Sequence, residues 1–157
     1  MAKYLTIFLV SMVPIIELRG AMVMAMAPGM DIPFPLALLI CVIGNMLPVP
    51  FIYFFARKFL IWGAKQKYIG KFCNFFLVKG EHAGKKLVKA TGRGGLFIAL
   101  LLFVGIPLPG TGAWTGTLGA SFLNMGFKSA VASVTLGVLL AGIIMATASA
   151  VGIYIFQ

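Results

Sequence analysis

Glu17 and Arg19 are the only ionisable side chains embedded in apolar sequence, two positions apart in Ile16-Glu-Leu-Arg-Gly20. Each costs about 2.5–3.5 kcal/mol at mid-bilayer on insertion scales, so each is expected to face the protein interior or water. On a regular helix a spacing of two points side chains to different faces. An unwound turn or a helix end would let them converge. The chemistry on offer is a proton carrier or cation site at Glu17, with Arg19 as its partner or as an anion contact. The competing reading is that Arg19 only neutralises Glu17. Asn45, Thr111, Thr115, Thr117 and Trp114 are the polar-capable residues that would line a pathway beside them, or simply pack. Apart from Glu17 the acids are Asp31 and Glu81, with one histidine, His82, and two cysteines, Cys41 and Cys73. That inventory supplies no metal site, no disulfide framework and no catalytic dyad. No metal, no cofactor and no enzymatic activity are expected.

The elements that position these residues follow from composition. The chain has 157 residues, 61% apolar and 10% charged, with a mean hydropathy of +1.07. Soluble domains run about 45–50% apolar and about 25% charged. This is therefore read as an integral membrane protein, a single membrane domain over 1–157. Segments 32–56, 94–127 and 129–157 carry no charged side chain at all, and each exceeds the roughly 20 residues that a spanning helix needs. An apolar run at 4–16 is shorter. A cleaved signal peptide is disfavoured there, because Glu17 and Arg19 separate that run from the Ala25-Met-Ala27 site.

Ten of the thirteen basic residues lie between Arg57 and Arg93. This connector is expected in the cytoplasm by the positive-inside rule, together with Cys73. Within it Tyr68, Ile69, Phe72, Phe75 and Phe76 recur at helical spacing among Lys65, Lys67, Lys71 and Lys79. That pattern predicts an amphipathic helix on anionic headgroups, so membrane lipids are expected partners. No nucleic-acid recognition motif accompanies the charge, and no nucleic-acid partner is expected.

The hydrophobic halves are both interrupted. The second breaks at Ile106-Pro-Leu-Pro-Gly-Thr-Gly-Ala113, where Pro107, Pro109, Gly110 and Gly112 stop any helix. The first breaks more softly at Pro14 and then Glu17 to Gly20. In hydrocarbon such backbone must be buried in protein or line a wet cavity. A shift of 93 residues superimposes Pro14 on Pro107, Asp31 on Asn124, Phe34 on Phe127, Ala37 on Ala130 and Gly44 on Gly137. Repeat-built transporters place interrupted segments at corresponding positions, at the binding site. The expected organisation is repeat one at 1–56, a basic connector at 57–93 and repeat two at 94–157.

The string Gly105-Ile-Pro-Leu-Pro-Gly-Thr-Gly-Ala-Trp-Thr-Gly116, with Glu17-Leu-Arg-Gly-Ala21 upstream, resembles the bacterial and archaeal small multidrug export protein family. More distantly the layout resembles the DedA superfamily. That resemblance implies two re-entrant hairpins entering from opposite faces, with Glu17 and Arg19 on the first. It also implies a multi-pass protein of a prokaryotic cytoplasmic (inner) membrane. The expected fold is thus all-α: two inverted repeats, each a broken, re-entrant hairpin plus a spanning helix. The expected function is proton-coupled export of an amphipathic small molecule or a polyprenyl-phosphate-like lipid. A non-transporting adaptor acting through the connector is the alternative. A homodimer is expected, with Gly137, Ala141, Gly142 and Ala146 offering small-xxx-small contacts.

Overall fold

The computed structural model describes residues 2–14, 16–66, 70–108 and 110–156, without the side chains of 72, 76, 77, 80, 81, 83, 87 and 152–156. Among these residues the chain is all-helical. The helices are α1 (Ala2–Met12), α2 (Glu17–Ala25), α3 (Phe34–Met46), α4 (Val49–Ala64), α5 (Gly70–Gly105), α6 (Ala113–Phe122) and α7 (Phe127–Phe156). Three stretches are long and apolar enough to cross a membrane: Phe34–Ala64, Val88–Gly105 and Phe127–Val151.

Local chemistry sets the boundaries. Pro35 sits in the first turn of α3 and Pro50 in that of α4, where a missing N–H breaks no helical bond. Gly92 divides α5 into two limbs, with φ 72° and ψ 176°, a region essentially reserved for glycine. The first limb carries the basic connector and the second enters the apolar half.

Element boundaries recur at the 93-residue shift. α1 ends at Met12 and α5 at Gly105; α3 begins at Phe34 and α7 at Phe127. The left-handed residues pair in the same way, Glu17 (φ 52°) with Gly110 (φ 83°) and Asp31 (φ 46°) with Asn124 (φ 56°). Asp and Asn tolerate that conformation because their short side chains bond locally, which makes them natural tips. Helix packing repeats too. A Cβ on Gly44 would run into Ser11 and the Phe8 carbonyl, and a Cβ on Gly137 into Val104 and the Leu101 carbonyl, the equivalents 93 residues on. So α1 lies on α3 as the second limb of α5 lies on α7.

Each break turns its chain back on itself. Lys3 Nζ donates to the Met30 carbonyl (2.6 Å), which brings the start of α1 beside the end of α2. Leu96 and Leu123, the equivalents in the second half, line one cavity. Gly116 of α6 lies so close to Leu100 and Val104 of α5 that it has no room for a Cβ. Ile7, Leu18, Met22, Val104, Val134 and Val138 fill the centre, while Phe51 and Phe55 are about 70% exposed. Lipid tails are as apolar as these rings, so their exposure carries no penalty in a bilayer.

The small residues of α7 are used inside the chain. Gly137 packs on α5, Gly142 faces Leu18 and Leu38, and Ala141 and Ala146 are buried. That face therefore offers no surface to a second copy. Cys73, expected on an accessible connector, is only 2% exposed, and Cys41 is fully buried.

Candidate functional site

The second break leaves carbonyls that no helix satisfies. After Gly105 the described backbone bonds are short-range, Ile106 N–H to Leu102, Leu108 N–H to Ile106 and Thr111 N–H to Leu108 (2.9, 2.8 and 3.1 Å), before α6 starts at Ala113. Arg19 supplies the missing donors. Its guanidinium donates to the Leu108 carbonyl, to those of Val104 (3.4 Å) and Ile106 (3.3 Å), and to Thr111 Oγ1 (2.8 Å). Thr111 Oγ1 in turn lies 2.9 Å from the carbonyls of both Ile106 and Leu108. A planar fork of five N–H donors with a permanent charge suits this task.

Glu17 binds the other side of the same break. Its Oε1 accepts the Trp114 backbone N–H (3.2 Å). That N–H lies in the first turn of α6, where the helix dipole favours an anion. A Cβ on Gly112 would overlap all three atoms of the carboxyl group, so this glycine makes the room that Glu17 occupies. Glu17 is 6% exposed and holds a left-handed backbone. Leu18, between the two charges, is buried in the core against Gly142. The pair thus converges on one feature of the opposite half, and among the described residues the Arg19 hydrogen bonds go to that break rather than to Glu17.

Two cavities adjoin this contact. A cavity of about 10 Å³ lies among Glu17, Arg19, Asn45, Gly112 and Val138, near the minimum for one water. Asn45 is 1% exposed and its Oδ1 has no hydrogen-bond partner among the described residues. A larger apolar pocket of about 470 Å³ lies between α4 and α6, lined by Ile52, Phe55, Phe59, Trp114, Leu118 and Phe122. Trp114 links the two sites: its backbone holds Glu17, while its ring walls the pocket with a buried Nε1 that finds no partner among the described residues.

Of the residues singled out by sequence, Glu17, Arg19, Thr111, Gly112, Trp114 and Asn45 lie together. Pro107 is half-buried in the break and Gly110 is exposed at its turn. Pro109 lies outside the described residues. Pro14 is exposed just beyond α1, and Gly20 sits within α2 over Ile16. Thr117 bonds back to the Ala113 carbonyl (2.5 Å) and Thr115 is exposed. In the connector Lys79 sits 4.9 Å over the Phe75 ring; Lys67, Tyr68 and Ile69 are outside the description, as are the side chains of Phe72 and Phe76. Among the described residues no cluster could hold a metal ion. Sequence reading passed over Tyr53, whose hydroxyl donates to the Met125 carbonyl and whose own carbonyl accepts from Ser121 Oγ (3.1 Å). A lone tyrosine in an apolar span carries no signal for such a tie.

No curated protein and no solved structure matches this chain. Residues 17–144 match the family described as Putative small multi-drug export protein, a span that opens on Glu17 and takes in both tips and the whole second break. Apolar helices of spanning length and a match over most of its length place the chain in that family of multi-pass membrane proteins.

Proposed function

We propose that the chain is a proton-coupled exporter of amphipathic small molecules, built from two inverted repeats whose broken hairpins enter the membrane from opposite faces. The observation that carries this is the reach of Glu17 and Arg19 across to the second break, immediately beside the Trp114 pocket. Fold-back of each pair supports re-entry, since the two ends of each hairpin then share one face. In that arrangement the connector and Lys128 lie on the cytoplasmic side and Lys3 on the other; the positive-inside rule places the connector, while four full spans would exchange Lys128 for Lys3 outside. Assembly as a homodimer belongs to the same proposal, through a surface other than the small-residue face of α7. So does residence in a prokaryotic inner membrane.

The mechanism follows from Glu17. An ionised carboxylate accepts the Trp114 backbone N–H and holds the start of α6 against the first hairpin. A proton on Glu17 removes the charge that favours this helix terminus and weakens that bond. Trp114 then moves with α6, so the proton state of Glu17 sets the shape of the apolar pocket where the substrate's hydrophobic body lies. Arg19 keeps the unwound backbone satisfied in either state.

Reconstituted vesicles with an imposed pH gradient and a lipophilic cationic dye test this. Wild type is expected to drive dye against its gradient. Folded Glu17→Gln is expected to lose gradient-driven flux while retaining dye exchange. Full gradient-driven flux by that variant would remove Glu17 as the coupling group.

A further inference from the structure

A second site lies away from Glu17, where the first limb of α5 crosses the turn between α6 and α7. Gly84 is seated so tightly on the Leu123 backbone that a Cβ there would collide with it. Beside that contact opens a cavity of about 610 Å³. Lys85, Lys89 and Arg93 line it from α5, and Asn124, Gly126 and Ser129 from the turn and the start of α7. No acidic residue lines it among the described residues. The amino end of α7 adds the positive end of a 30-residue helix to three cationic side chains.

The cavity does not end at its charges. Leu96, Leu123 and Met125 line both it and a second, apolar space of about 260 Å³ that runs along Leu100, Phe103, Gly116 and Gly119 between α5 and α6. A cationic chamber thus continues into a greasy groove within an apolar hairpin. A free anion would satisfy the chamber and leave the groove unexplained; an uncharged chain would do the reverse. We propose that the chamber and groove together bind one phosphate-headed lipid, its headgroup held by Lys89 and Arg93 and one acyl chain laid between α5 and α6. This site shares no residue with the Glu17 and Arg19 contact and does not depend on the export reading.

Native mass spectrometry of the full chain in mild detergent with phosphatidic acid tests it. One phosphatidic acid per chain is expected, retained at least tenfold better than phosphatidylcholine. Lys89→Gln with Arg93→Gln is expected to lower retention at least tenfold. Lys65→Gln with Lys71→Gln removes the same charge from exposed positions outside the chamber and is expected to change it less than twofold. Gly119→Leu fills the groove, since a Cβ at Gly119 meets nothing within 4 Å, and is also expected to displace the lipid. Equal losses in the two double variants would mean diffuse surface charge and overturn the site. Displacement of phosphatidic acid by millimolar inorganic phosphate, with Gly119→Leu silent, would mean a free-anion site and overturn the lipid.

Discussion

Replacing Gly112 with alanine adds one methyl group at the point where the two halves meet. Its backbone (φ 162°, ψ −171°) is extended and acceptable to any residue, so the chain itself does not resist the change. The three atoms nearest the methyl group all belong to Glu17, and it overlaps Oε1, Oε2 and the carboxyl carbon. The carboxylate must withdraw from the Trp114 N–H. A hydrogen bond to a charged group contributes about 1.5–3 kcal/mol. Gly112→Ala should therefore destabilise the fold by about 2 kcal/mol, on the order of a 30-fold shift in the unfolding equilibrium. Cys41 and Cys73, 0% and 2% exposed, report unfolding directly, because a thiol-reactive fluorophore reaches them only in the opened chain. The decisive comparison is a cycle with Glu17→Ala, which vacates the space the methyl group needs. In that background the same substitution should cost less than about 1 kcal/mol, an ordinary value for a change without a buried clash. A cost of about 2 kcal/mol in both backgrounds would refute the claim that Gly112 exists to admit Glu17.

Two further substitutions probe the elements around that contact. Arg19→Lys keeps the charge but loses the fork that reaches Val104, Ile106, Leu108 and Thr111 together, and should lower stability by about 2 kcal/mol in the same thiol assay. An unchanged unfolding midpoint would show that a point charge suffices. Gly92→Ala places a side chain at φ 72° and ψ 176° and should cost about 1–3 kcal/mol although its Cβ meets nothing, whereas Gly94→Ala should be neutral.

Much of the architecture was legible because membrane sequence is economical with charge. The uncharged runs mark where α3, α4, the second limb of α5 and α7 lie, and the Pro107 to Gly112 cluster marks the second break. Asp31 and Asn124 were visible as an aligned pair, and both hold left-handed tips. The partners of the site residues were not legible. Arg19 binds carbonyls more than 80 residues away, and every residue carries a carbonyl, so no residue type announces it. Gly112 reads as a helix breaker, yet its role is the absence of a side chain where Glu17 stands. Gly137 reads as a dimer motif because a small residue signals close approach without saying to which helix; the neighbour is α5 of the same chain.

In the proposed function two hairpins enter the membrane from opposite faces and meet at Glu17 and Arg19. The exposed tip residues Asp31 and Lys128 test this most directly, in a chain freed of Cys41 and Cys73. Asp31→Cys and Lys128→Cys are labelled with an impermeant thiol reagent, first on intact cells and then on inside-out vesicles. The expected result is labelling of Asp31→Cys only from outside and of Lys128→Cys only from inside. Labelling of both positions from the same face would contradict the inverted arrangement and the meeting of the two breaks within the membrane.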